Sequence, residues 1–394
     1  MTNVIKIYRD LKGDKSIWLI VTLLLLVSIL AVYSSIGSIA YKEHGGNTEY
    51  YLIQQVVFIG LGVGMMWLMY QMDYRKFARL APVLLVIAVT LLLYTFFFGK
   101  EVNSAKRWIT IPWIDKTFQT SDFAKIALIV YLARTIATKQ DVIKDLKSAA
   151  LPLFLPIILV CGIIAPNNLS TAALLFMTCM LMLFIGRISL KFVFILLFLG
   201  VIAGLLITLM GVLFPDMVRL ETWIHRVSDF VNMTDESFQV QQAKIAIANG
   251  EWIGVGPGKS LQKNYLPFSF SDCIYAIICE EFGLLGGLAI LGLYFWLLVR
   301  CVQLVTKSPK AFGAILAMGL CLDIVINAFA NISVSVQLVP ATGLTLPLIS
   351  MGGTSLILTC ISFGIILSVS KFVEEYSATG MLSMEKNSAN EGAH

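Results

Sequence analysis

Charge is what this chain has least of: Asp, Glu, Lys and Arg make up 13% of its 394 residues, against 58% hydrophobic. A soluble domain carries about a quarter of its residues as charges, so a water-exposed globular fold is excluded and a membrane-embedded one is indicated. Histidine is nearly missing. His44, His225 and His394 are too few and too scattered for a histidine metal centre. The seven cysteines (161, 179, 273, 279, 301, 321 and 360) lie almost all within apolar runs. They show neither zinc spacing nor a paired pattern, and read as small buried hydrophobes. The net charge of +5 is modest and no dense basic run occurs, which points away from nucleic acid as a partner. The inverted internal repeat that marks many transporters is also missing.

Long apolar runs are what the chain has instead. A bilayer core takes roughly 20 apolar residues of helix, and about ten runs approach that length. They are Ile17–Ile36, Val56–Tyr70, Leu80–Phe98, Phe123–Ile136 and Ala149–Ile164, then Leu169–Ile185, Phe192–Leu213, Cys273–Val299, Ala311–Val336 and Leu344–Val369. The sequence therefore predicts an all-α polytopic membrane protein, with a membrane domain over 1–371 and a disordered tail over 372–394. The first run follows Lys6, Arg9, Lys12 and Lys15 as a signal peptide would. Its length and the lack of a small-residue cleavage site make it a retained helix. Basic residues crowd alternate turns, among them Arg75, Lys76, Arg79, Arg134, Lys139, Arg187, Lys191, Arg300, Lys307 and Lys310. By the positive-inside rule both termini are then cytoplasmic.

Two extracytoplasmic loops break the rule by carrying charge, Gly99–Asp122 and Phe214–Asp272. The second, between spans seven and eight, is too long to be structureless in a compact protein. Within it, Val218–Phe230 and Phe238–Ala248 repeat apolar residues at helical spacing, as short helices lying on the membrane surface do.

Four polar clusters stand out. In the first, Lys106, Arg107 and Trp108 precede Gln119, Thr120, Ser121, Asp122 and Lys125. Two cations and an indole could hold a diphosphate and a sugar face; an aromatic belt with snorkelling cations is the more economical account. Thr120, Ser121 and Asp122 also read as a helix start. Lys125, one turn inside an apolar helix, is costly there and needs a partner, for which Asp122 is placed. The second cluster is Gly254, Gly256, Gly258, Lys259, Ser260, Gln262 and Lys263. It lacks P-loop spacing, and serves equally as a diphosphate cradle or as a turn between surface helices.

In the third cluster, Asp272 stands where the long loop enters span eight, with Glu280 and Glu281 deeper in that span. An N-cap and a partly desolvated general base account for Asp272 equally well. The two glutamates are functional or pair with a cation such as Lys125. The fourth runs from Pro340 through Gly343, Pro347, Ser350, Gly352 and Gly353 to Ser355. Broken backbone at membrane depth lines a cavity or packs helices closely.

In this order and topology the four clusters resemble the SEDS family (shape, elongation, division and sporulation), which includes FtsW, RodA and SpoVE. The resemblance spans nearly the whole membrane region. It implies a peptidoglycan glycosyltransferase that polymerises lipid II outside the cytoplasmic (inner) membrane, beside a class B penicillin-binding protein. In the family pattern HTDFIFA…EELG the aspartate is the catalytic residue, and it matches Asp272. Here Phe270 and Ser271 replace the histidine and threonine, and Cys273 and Tyr275 the phenylalanines. QPSE appears as Gln119 to Asp122, and PDLGT as Asn167-Asn168-Leu169-Ser170-Thr171, without its acid. Ser260, Gln262 and Lys263 look more like the FtsW branch than the RodA branch, which implies septal synthesis in cell division.

The resemblance further implies that Asp272 takes the proton of an acceptor sugar hydroxyl in an inverting transfer that releases undecaprenyl diphosphate. Lys106, Arg107, Trp108, Gln119, Ser121, Lys125, Lys259, Lys263, Glu280, Glu281 and Ser350 become candidates for substrate binding. No cofactor is required, and a divalent cation (Mg or Mn) at Glu280 or Glu281 is left open. The partners implied are an FtsI-like transpeptidase, other divisome proteins, lipid II and the lipid-linked glycan. A lipid II flippase and a non-catalytic scaffold for a penicillin-binding protein stand as alternatives.

Overall fold

The computed structural model describes residues 11–37, 48–102, 105–111, 116–140, 151–214, 218–231, 238–266 and 269–391. Helices appear at all ten predicted positions: α1 Lys15–Ser35, α2 Thr48–Gln71, α3 Arg75–Phe98, α4 Thr120–Thr138, α5 Leu151–Ile164, α6 Leu169–Ile185 and α7 Leu190–Leu213, then, beyond the long loop, α10 Ile274–Lys307, α11 Ala311–Ser335 and α12 Thr354–Glu391. Among the described residues seven of these are long and apolar enough to cross a membrane, and α5 and α6 are shorter apolar helices. The chain is a multi-pass membrane protein. Its surface agrees: on α7, Phe194, Phe198 and Leu205 are each 66% exposed. In water each such side chain forgoes about 1.5–3 kcal/mol of burial, so this surface suits hydrocarbon.

The core is built around α4 and α11, whose Ile129, Val130, Leu132, Ala317 and Ala328 are wholly buried. They pack on each other, with α3 against α4 and α10 against α11. The first helix is part of this core: Ile17, Ile20 and Leu24 are buried, and α1 packs on α10 and α2. Its N-cap is Asp14, which accepts from Ser16 N at 2.8 Å and is gripped by Arg300 at 2.6 Å. All seven cysteines are free and buried, as the apolar runs around them require.

The all-α polytopic architecture stands, with three details added to it. β1 Lys100–Val102, β2 Ala105–Ile111 and β3 Lys116–Gln119 form a small antiparallel sheet in the first charged loop. Ile109 and Ile111 alternate with polar neighbours there, a period-two signal too short to outweigh the surrounding helical pattern. The last helix starts ten residues later than Leu344 and runs through most of the stretch expected to be a disordered tail. The start of that stretch is tied down, because Gly13 N donates to Glu374 and Lys12 pairs with Glu375 at 2.9 Å. The long loop contains two helices, α8 Leu220–Val231 and α9 Phe238–Gly250. They fall where helical spacing placed them, but α9 is packed firmly on α10 and buries Ala243 and Ala246.

Candidate functional site

A cavity of about 740 Å³ opens where the loop meets the helices. Its wall is built from β2 and β3, the first turn of α4, the start of α6, helices α8 and α9, the 270–273 turn, one face of α11 and the 337–355 stretch. The β2–β3 register sets Trp108 opposite Gln119, and both line the cavity. Beside them, Arg107 Nε donates to the Asn167 carbonyl at 2.8 Å.

Asp272 lies on this wall. It is not the N-cap of α10; that position is Cys273. Among the described residues its carboxylate accepts one side-chain hydrogen bond, from Ser271 Oγ at 3.1 Å. Its backbone is held more tightly. Asn331 Nδ2 donates to the Asp272 carbonyl at 3.0 Å and to Leu344 O at 2.6 Å. Ser350 Oγ donates to Ser271 O at 2.7 Å and accepts from Leu346 N at 2.8 Å. Ser350 therefore acts on the turn that carries Asp272 and is not among the cavity-lining residues. The 340–353 stretch is irregular, with positive φ at Gly343, Leu348 and Gly353, as expected of backbone that lines a cavity.

Burial pushes the Asp272 carboxyl above the usual range, while Ser271 and the charges of Arg226 and Arg107 hold it down in part. Arg107 is itself lowered to about 10 by burial and by repulsion from Arg219 and Arg226, with Asp272 opposing. Burial and Arg219 lower Arg226 as well. Three guanidinium groups thus line one cavity, a crowding of like charge that favours an anion. Arg219 and Arg226 had gone unremarked in the sequence. They lie seven residues apart, two helical turns, and that shared face was the available signal. Arg226 Nη1 is anchored on Thr342 O at 3.1 Å.

Also on the cavity wall, Lys125 pairs with Asp122 at 3.1 Å, the partner the sequence proposed. It also feels the charge of Asp323 on α11, a residue that reading overlooked. An acid inside an apolar span is a signal in its own right, and Asp323 met that test. Asp323 Oδ1 accepts from Asn327 Nδ2 at 3.1 Å. Ser121 is buried in the first turn of α4 and accepts from Gln119 Nε2 at 3.0 Å. Asn168 caps α6 through a bond from Thr171 N at 3.4 Å, so the segment that lacks its acid still lines the cavity with a neutral side chain.

Other candidates fall away from the cavity. Glu280 is 1% exposed and accepts from Ser260 Oγ, Leu261 N and Gln262 N. Glu281 accepts from Ser34. Neither pairs with Lys125 or lines the cavity. Their carboxylates are occupied in holding structure, and among the described residues no three acidic, His or Cys side chains are grouped to hold a metal. A cation at these glutamates does not fit. Lys259 is exposed and Lys263 Nζ donates to Gly258 O at 2.7 Å; both are off the cavity wall. The glycine-rich segment is instead stitched to α10 where Gly283 breaks that helix with φ 67°. Val255 N and Gly256 N donate to the carbonyls of Glu280 and Glu281 at 3.0 Å, and Leu284 N donates back to Glu251 O at 2.9 Å. A Cβ on Gly254 would lie 2.2 Å from the Glu281 carbonyl oxygen. The Lys106 side chain lies outside the described residues; its backbone pairs with Glu101.

Residues 14–375 match the model of the FtsW, RodA and SpoVE family, described as cell cycle proteins. A probable peptidoglycan glycosyltransferase FtsW of Alkalilimnicola ehrlichii is 35% identical over 89% of this chain and 88% of its own length. One of Marinobacter nauticus is 34% identical over 92% and 91%. Among solved structures, a chain from a study of how a peptidoglycan synthase complex coordinates polymerization and crosslinking superposes with a TM-score of 0.71 at 24% identity, covering 92% of this chain and 98% of that one. The rod shape determining protein RodA of Thermus thermophilus gives 0.66 at 22%, covering 92% and 98%. These two likenesses show a shared fold.

Proposed function

This chain belongs to the FtsW, RodA and SpoVE family, and from that premise we propose that it is a peptidoglycan glycosyltransferase that polymerises lipid II for septal wall synthesis. The observation that carries the reading is one cavity that brings a carboxylate of raised proton affinity together with three guanidinium groups.

In this reading Asp272 accepts the proton of the 4-hydroxyl of the acceptor sugar. The hydroxyl oxygen bonds to the anomeric carbon of the donor strand from the opposite face, and the bond from that carbon to the diphosphate oxygen breaks. The carbon is inverted and undecaprenyl diphosphate leaves. A raised pKa suits a general base working near neutral pH, and Arg107, Arg219 and Arg226 offset charge growing on the leaving diphosphate. Lys125 is already paired with Asp122, and Lys259 and Lys263 stand off the cavity wall, so of the cationic candidates Arg107 keeps this role and Arg219 and Arg226 join it. Trp108 and Gln119 offer a stacking face and an amide to the sugars. Glu280, Glu281 and Ser350 support the site without touching substrate.

The basic residues at the helix ends away from Asp272 support an inner-membrane protein with both termini cytoplasmic and the cavity facing outward. A class B penicillin-binding protein of the FtsI type is the partner that would crosslink the strands. The test is strand polymerisation from labelled lipid II by purified protein with that partner. Asp272→Asn should abolish it, and undiminished polymerisation would overturn the assignment. One observation favours a second reading, a lipid II flippase: Asp323 carries charge to the middle of α11, deeper than the sequence clusters suggested. Transbilayer movement of labelled lipid II in vesicles, unaffected by Asp272→Asn, would support it.

A further inference from the structure

The cavity sorts its charges. Arg107, Arg219 and Arg226 act on one another, and Arg107 and Arg226 on Asp272, whereas Asp122, Asp323 and Lys125 form a second group with two carboxylates to one ammonium. The first region draws an anion and the second repels one. Asp323, Asn327 and Asn331 follow one another at i, i+4 spacing, so one face of α11 presents a polar stripe to the cavity. A stripe of amide and carboxylate groups on an apolar helix needs a polar occupant.

Two details indicate what kind. Asp323 is only partly buried, and among the described residues the one side-chain hydrogen bond to its carboxylate comes from Asn327 Nδ2. An ionised carboxylate has about four acceptor sites. Asn331, 2% exposed, spends both amide hydrogens on the carbonyls of Asp272 and Leu344. That orientation is forced, since turning the amide would set oxygen against two carbonyl oxygens. Its Oδ1 is then left with no hydrogen-bond partner among the described residues, a costly condition for a buried acceptor. The stripe thus has spare acceptors and few spare donors. It suits an uncharged ligand rich in donors.

Resting on the glycosyltransferase reading, we propose that the Asp323–Asn327–Asn331 face of α11 is a saccharide subsite, taking sugar hydroxyl and acetamido N–H groups of the lipid-linked substrate while the arginines take its diphosphate. Asp323→Leu is the main variant. It leaves the Lys125–Asp122 pair and the bond from Asn327 Nδ2 to the Asp323 carbonyl (2.6 Å) in place.

The experiment measures equilibrium binding of two probes to the purified full chain in detergent: a lipid diphosphate bearing the disaccharide, and the same lipid diphosphate without sugar. Asp323→Leu should weaken the sugar-bearing probe about tenfold or more and leave the bare diphosphate within about twofold. Asp323→Asn, which still accepts, should fall between. Arg226→Ala should weaken both probes. Equal weakening of both by Asp323→Leu, or of neither, would overturn the proposal, as would equal affinity of the wild-type chain for the two. If Asp323→Leu does not fold, Asp323→Asn with Asn327→Leu carries the same contrast. No turnover is involved, so polymerisation by Asp272→Asn would sink the catalytic reading while leaving this result to stand or fall separately.

Discussion

The Asp272 carbonyl accepts a hydrogen bond from Asn331 Nδ2 at 3.0 Å, so the candidate base is fixed through its backbone, and among the described residues its carboxylate is left with a side-chain hydrogen bond from Ser271 alone. A group held this way can change protonation without losing its place.

The first prediction is a pH profile. Burial raises the Asp272 pKa above its ordinary value, and Arg226 opposes that. The base works ionised, so polymerisation should fail as pH drops through the raised pKa, at a higher pH than an ordinary carboxylate would give. Arg226→Gln removes a positive charge that favours the ionised form. It should move the acid limb to still higher pH, as read from rate against pH. A limb moving downward would show that Arg226 does not act on Asp272.

A second concerns the Lys125 pair. Stripping one partner from a buried ion pair costs about 3–5 kcal/mol. Lys125→Met leaves both Asp122 and Asp323 without their cation, whereas Asp122→Asn leaves Lys125 with Asp323. The lysine variant should melt at the lower temperature in detergent. The reverse order would mean that Asp323 does not share the ammonium.

Glycine gives a third. Gly343 and Gly258 both have positive φ, 65° and 76°, and alanine at either should cost about 1–2 kcal/mol in backbone strain. Only at Gly343 does the added methyl enter the cavity, 3.5 Å from Asp272 Oδ2 and 3.6 Å from Arg226 Nη2, while at Gly258 it meets open space. Similar losses of stability are expected, with polymerisation reduced by Gly343→Ala alone.

The fourth separates Glu280 from the chemistry. Glu280→Ala strands Ser260 Oγ and the Leu261 and Gln262 amides, each worth about 1–3 kcal/mol when buried. Thermal stability should fall and proteolysis within 254–264 should rise, while the pH profile of the residual activity stays put. A shifted profile would put Glu280 back in the site.

Apolar runs near bilayer length made the ten helices legible, and the third cluster isolated Asp272. What escaped was whatever depends on distance in space. Nothing local says that Glu280 faces Ser260 instead of substrate, because they stand twenty positions apart and the path of the chain into α10 decides it. Arg219 and Arg226 sit in a charged loop whose path the sequence does not give, and in the structure Arg226 is drawn to the cavity by its bond to Thr342 O. Asp323 is different: an acid within an apolar run is readable in the sequence itself. The sheet was lost among helices because its strands are three, seven and four residues long.

The seam between the glycine-rich segment and the Gly283 break has a mechanical meaning. Residues 251–256 are bonded to α10 beyond Asp272, and α9 packs on that same helix. The intervening turn is thus a closed loop clamped at both feet. Force applied to α9 or to 251–256 is delivered to α10. A tilt of α10 therefore bears on the turn that carries Asp272, which Asn331 and Ser350 hold from the other side, and Arg226 of α8 is the charge it would move against.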